Sequence, residues 1–159
     1  MAHPFQIRDS HDGKNKSGAS ARFPATKESG QDRISQKEDM AKRHLTVLAV
    51  NNEAALLSML ARVILRAGHM CITARNGNDA LVRYGTNRPD VVVSDFRMPD
   101  MDALELLGKL KRADPSVKVI IVSPKIKDNE SRACLAEGAN AVLPDKASAE
   151  ELIAALERV

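Results

Sequence analysis

Asp95 ends the apolar run Val91-Val92-Val93-Ser94, and an earlier run, Leu45-Thr46-Val47-Leu48-Ala49-Val50, ends in Asn51 and Asn52. A third run beginning at Lys118 ends in Ser123. Short apolar runs that terminate in polar residues and lead into helix-like segments describe neighbouring parallel strands whose carboxyl ends share one pocket. A lone carboxylate there is a nucleophile or a ligand, and an Asp-Asp pair at 51 and 52 would let the same pocket hold a divalent cation. The chain offers amides instead. Either Asp95 still does chemistry, or the pocket has become a fixed feature of a binding module. Plainer roles stand beside both readings: Asn suits the cap of a following helix, and Ser is common at strand ends.

The elements that must position these residues follow from the patterning. From residue 45 onward, short β-branched runs alternate with longer amphipathic ones, which predicts a parallel sheet with crossover helices. Strands are expected near 45 to 50, 70 to 75, 91 to 95, 118 to 123 and 140 to 143, and helices near 53 to 67, 77 to 86, 102 to 112, 128 to 137 and 147 to 158. In the first helix Leu56, Leu60, Val63, Ile64 and Ala67 recur at helical spacing and Gly68 supplies the stop. Asn76-Gly77 punctuates the second strand, and Asp114-Pro115 closes the third helix. The fold expected is α/β, a doubly wound five-stranded parallel sheet of order 2-1-3-4-5. Its crevice between strands 1 and 3 then receives Asn51, Asn52 and Asp95.

With 159 residues the chain can form one well-cored domain, 45–159. Residues 1–44 lack apolar periodicity and are expected to be a disordered extension. They carry nine Lys and Arg against six Asp and Glu, an excess equal to the +3 of the whole chain, so the remainder is balanced at 15 of each sign. These charges are interspersed, with only Phe5 and Phe23 as aromatics, so a nucleic-acid arm is not expected. Met40-Ala41-Lys42-Arg43-His44 would make an ordinary start for the domain alone. Without a signal peptide core or an apolar stretch of membrane-spanning length, the expectation is a cytoplasmic protein with no membrane contact. Cys71 and Cys134 have no metal-ligand spacing and are expected as two buried, reduced thiols.

The stretch Val91-Val92-Val93-Ser94-Asp95-Phe96-Arg97-Met98-Pro99-Asp100-Met101-Asp102 resembles the phosphoacceptor strand and Met-Pro turn of response-regulator receiver domains, the CheY-like, flavodoxin-like family of two-component phosphorelay systems. Ser123 falls at that family's hydroxyl position, and Gly138-Ala139-Asn140 at its approach to the last strand. The intervals of 43 residues from Asn52 to Asp95, 28 from Asp95 to Ser123 and 22 from Ser123 to Asp145 fit its register without gaps. The resemblance covers essentially all of 45–159. It implies that Asp95 accepts a phosphoryl group from a histidine kinase, a phosphotransfer protein or a small phosphodonor, with Mg²⁺ held by Asp95, the Asn52 position and the Arg97 backbone.

Against that pattern the pocket is degenerate. Asn51 and Asn52 replace the acidic pair; a unit charge pair at ~4 Å is worth about 4 kcal/mol at an effective dielectric of ~20, so any Mg²⁺ site should be weak or absent. Pro124 stands where the family has a small residue beside the hydroxyl. Asp145 occupies the place of the lysine that pairs with phosphoryl oxygens, with Lys146 one residue later and Lys125 as another cation out of register. Val142 replaces the aromatic that accompanies the hydroxyl residue Ser123 in switching. The expectation is an atypical single-domain response regulator acting by protein–protein contact, with a constitutive pseudo-receiver as the alternative. An enzyme is not expected, since the chain lacks GxGxxG or GxxxxGK loops, and Arg97 stands where a dehalogenase-like phosphatase needs its second acid. The face expected to meet a partner or a second copy spans 128–158 and includes Arg132, Glu137, Asp145, Lys146, Glu150 and Glu151.

Overall fold

A computed structural model describes residues 43–144 and 146–159. The expected 1–44 extension, the Met40 start and Asp145 therefore lie outside the described residues, apart from Arg43 and His44. The described chain alternates β1 (Thr46–Val50), α1 (Ala54–Arg66), β2 (Met70–Ala74), α2 (Gly77–Asn87), β3 (Val91–Ser94), α3 (Ala103–Ala113), β4 (Lys118–Ser123), α4 (Asp128–Ala136), β5 (Ala141–Pro144) and α5 (Ala149–Arg158). All the strand pairs are parallel and the sheet order is β2-β1-β3-β4-β5. The doubly wound fold is thus the one the patterning predicts, with element ends shifted by two residues or fewer.

The central strands are apolar along most of their length because both faces of the sheet are covered. Successive side chains alternate between two cores. Leu48, Val50, Val92 and Ile121 face α2, α3 and α4, where Tyr84, Leu106, Leu107, Leu110 and Cys134 pack. Val47, Ala49, Val91, Val93 and Ile120 face α1 and α5, which contribute Leu57, Leu60, Ile64, Leu152 and Leu156. The face of α1 differs from the expected one: Leu57, not Leu56, is buried on the sheet. With the helix starting at Ala54, the stripe in contact runs through 57, 60, 64 and 67, and Leu56 turns towards Val122 and Pro124 at the rim. Cys71 is also a correction. It lies on the edge strand β2 and is half-buried, while Cys134 is fully buried; burial pushes both thiols up, keeping them protonated.

Local chemistry sets the element ends. Gly68 at φ +87° receives the end of α1, its N–H donating to Leu65 O at 3.0 Å and that of His69 to Ile64 O at 3.2 Å. Gly138 at φ +105° ends α4 in the same way. Side chains of Asn76, Asp102 and Ser148 accept backbone N–H groups in the first turns of α2, α3 and α5. Asn140 ties the start of β5 to β4, its Oδ1 accepting from Val119 N at 2.9 Å.

Candidate functional site

The parallel register brings Val50 beside Ser94 and Ser94 beside Ile121, so the next residues along, Asn51 and Asp95, share the carboxyl end of the sheet with Ser123. Asp95 N donates to Val50 O at 3.0 Å, which fixes the acceptor strand against β1. All three are buried: Asn51 is 4% exposed, Asp95 8% and Ser123 2%. The Phe96 N–H donates to Asp95 Oδ1 at 2.7 Å, which orients the carboxylate. Among the described residues, the second oxygen has no hydrogen-bond partner within the protein.

The loop that follows is locked at both ends. Ala103 N donates to Phe96 O at 2.9 Å, and Arg97 and Asp102 form an antiparallel bridge. In the middle of the loop the Asp100 carboxylate spans the start of α2, accepting from Gly77 N at 3.0 Å and Asn78 N at 2.8 Å. Burial works against the charged form of Asp100, but the N–H groups of Asn78, Gly77, Asp100 and Met101 outweigh it and hold its carboxyl below the usual value of 3.8. Gly77 suits the same docking, because a Cβ there would collide with the Met101 side chain, which would have to shift.

The other side of the pocket is poor in charge. Asn51 Oδ1 accepts from Glu53 N at 2.8 Å, so the side chain closes a turn into α1. Asn52 is exposed. Lys125 and Lys146 are exposed, and Val142 is half-buried against the core under α4. Pro124 is exposed and, with Met59, Val63 and Leu152, lines a cavity of about 160 Å³ that Asn51 also borders. The donor set does not fit a resident divalent cation: beside the Asp95 carboxylate, the Asn51 oxygen is already engaged, and Asn52 is exposed and brings no charge. Among the described residues no group of three His, Cys, Asp or Glu side chains could hold a metal ion.

Sequence reasoning singled out Asp95, Asn51 and Ser123, which the fold gathers, and Asn52 and Lys146, which it leaves exposed. Two groups were missed. One is Asp100. The other is the ion pair between Arg97 Nη2 and the Glu130 oxygens at 3.0 and 3.3 Å, which joins the loop after Asp95 to the first turn of α4. Glu130 also accepts from Lys127 N at 2.9 Å, and that bond, with the Arg97 charge behind it, holds its carboxyl below the usual range. An acid in the third position of a helix is a visible capping signal, but nothing in the sequence pairs it with Arg97. Among the described residues no helix is long and apolar enough to cross a membrane.

Comparisons with known proteins agree with this geometry. The family model of the response regulator receiver domain matches residues 47–157. DNA-binding transcriptional regulator NtrC of Salmonella typhimurium is 34% identical over 112 residues, 70% of this chain and 24% of that protein. The probable transcriptional regulatory protein TcrX of Mycobacterium tuberculosis is 32% identical over 109 residues, 69% of this chain and 47% of that protein. The chain thus spans less than half the length of either relative. Chemotaxis protein CheY4 of Vibrio cholerae superposes with a TM-score of 0.68 at 25% identity, over 74% of this chain and 99% of that one. A Borrelia burgdorferi chain solved in a CheX-CheY complex with BeF3 and Mg²⁺ gives a TM-score of 0.68 at 24% identity, over 75% of this chain and 90% of that one. With its sheet order, its strand-end aspartate and a family match over most of its length, the chain belongs to the response regulator receiver domain family of two-component signalling.

Proposed function

We propose that this receiver takes a phosphoryl group on Asp95 from a histidine kinase, a phosphotransfer protein or a small phosphodonor, and acts in the cytoplasm through protein contacts. The observation that carries this reading is the orientation of Asp95: one carboxylate oxygen is fixed by the Phe96 N–H, and the other has no hydrogen-bond partner among the described residues. That oxygen attacks phosphorus in line, forming a P–O bond as the bond to the leaving group breaks. From acetyl phosphate, acetate departs; from a phosphohistidine, the imidazole departs and takes up a proton. The protein's part is positioning and electrostatic support. Ser123 is placed to bond the phosphoryl group, and Val142 leaves the usual aromatic partner out of the response.

The 128–158 face is the proposed contact surface for another signalling protein or a second copy. Its Arg132, Glu137, Lys146, Glu150 and Glu151 are exposed. Mixed charge of this kind specifies a partner by complementarity more than it adds affinity. Incubating the chain with acetyl phosphate, followed by intact mass and amide NMR, tests the reading. The mass of one phosphoryl group should be gained by the wild type and not by Asp95→Asn.

One observation favours a second reading, a constitutive binding module: the Asn51 oxygen is consumed by Glu53 N, so the metal half of the pocket is committed to structure. The two readings part on partner affinity. A phosphodonor-dependent change of about tenfold, or 1.4 kcal/mol of coupling, that Asp95→Asn abolishes supports the switch, and an affinity indifferent to phosphodonor supports the constitutive module.

A further inference from the structure

Arg97 stands two residues after Asp95, and its guanidinium bridges two parts of the site. Its Cζ lies 5.5 Å from the centroid of the Phe96 ring, and Phe96 is the residue whose backbone N–H holds the Asp95 carboxylate. Its Nη2 meets both oxygens of Glu130 at the start of α4. The arginine side chain is 56% exposed and the glutamate side chain 18%, so the arginine is the partner free to move. An exposed pair of this type is weak and exchangeable. A guanidinium offered a phosphoryl group forms paired, charge-assisted hydrogen bonds that a carboxylate on a solvated rim does not match.

We propose that Arg97 is the cation that serves the phosphoryl oxyanion at Asp95: it rests on Glu130 and transfers to the phosphoryl oxygens as Asp95 takes up the group, supplying the positive charge that Asn51 and Asn52 cannot recruit through a metal. The inference rests on Asp95 being the acceptor. It gives the modification a route outward that does not use an aromatic at 142. Once Arg97 leaves, Glu130 keeps the Lys127 N–H and the Lys127 charge, and the first turn of α4, at the edge of the proposed contact face, loses this tie to the loop after β3. Lys125 and Lys146 are exposed on neighbouring loops, but among the described residues it is Arg97 that contacts both Phe96 and α4.

The test is the rate at which the full chain gains a phosphoryl group from acetyl phosphate, read by intact mass with Mg²⁺ and with EDTA. The wild type should differ by no more than about twofold between the two buffers, and Arg97→Gln should be slower by about tenfold or more. Glu130→Gln, which frees the guanidinium, should be faster by roughly threefold, with Arg97→Lys between Arg97→Gln and the wild type. Both the Arg97→Gln and Glu130→Gln substitutions break the same ion pair, so a purely structural role would move both rates in the same direction. Opposite signs support the inference. Equal slowing, or an Arg97→Gln rate equal to that of the wild type, would overturn it while leaving Asp95 as acceptor. No mass gain in any protein in either buffer would overturn the phosphoacceptor reading and this inference together.

Discussion

The two halves of the pocket are built in different ways. On the β3 side the Phe96 N–H holds the Asp95 carboxylate, and the loop that follows is fixed by the bridge from Arg97 to Asp102 and by the Asp100 carboxylate on the start of α2. On the β1 side the residues that would bring charge are amides, and Asn51 closes a turn instead of facing a cation. Positioning rests on backbone hydrogen bonds and a close Gly77–Met101 approach, which belong to the fold itself. Charge resides in side chains that can be exchanged without disturbing a strand. Under the proposed reading, the charge at positions 51 and 52 can therefore change while Asp95 stays positioned.

The comparison breaks most readily at Asn51 and Asn52. If only charge is missing, Asn51→Asp with Asn52→Asp should tighten Mg²⁺ binding by about a hundredfold or more, followed by an NMR titration of the pocket amides. Equal affinities in wild type and double variant would show that amide oxygens suffice and that the two halves do not differ as described.

A smaller effect sharpens the other half. Tyr84, the only tyrosine, pins α2 to α3 by donating to Asp114 Oδ2 at 2.7 Å. Burial, followed by the Asp114 hydrogen bond and charge, pushes its phenol from 10.0 up to about 12. A folded pKa raised in this sense contributes stability that is complete below pH 10.0 and is lost as pH rises towards about 12. An absorbance titration of the single phenol should find its midpoint displaced upward in the folded chain, and a midpoint near the ordinary value would show that these helices are not held together as described.

The smallest effect tests the clamp. Asp100→Ala removes an exposed cap from two N–H groups of α2 and should cost about 1 kcal/mol in urea unfolding at neutral pH. Because the folded carboxyl is held below 3.8, its stabilisation is present above that value and fades as pH falls further, so wild type and variant should converge in acid. A constant gap at all pH values would mean that the residue acts through something other than its charge.

Much of the fold was legible because burial on both faces of a sheet writes continuous apolar runs, and a helix stop such as Gly68 is visible as a residue. Periodicity was less decisive within α1. Leu56 and Leu57 are equally apolar, and only the angle at which the helix meets the sheet puts Leu57 inside. Cys71 was misjudged for a related reason: β2 is an edge strand, and alternation does not reveal how well an edge is covered. At the site, strand-end residues could be read from position alone, which located Asp95, Asn51 and Ser123. The Asp100 clamp and the Arg97–Glu130 pair span 23 and 33 residues and arise from loop paths, which no local spacing encodes.

The central claim is that Asp95, and no other side chain, is the nucleophile of a pocket whose positioning half is intact. Borohydride reduction of the chain after exposure to acetyl phosphate converts an aspartyl phosphate to homoserine, and peptide sequencing by mass spectrometry then reads its position. The account predicts homoserine at position 95 and nowhere else. Homoserine at another aspartate, or none in a chain that remains folded, would contradict it.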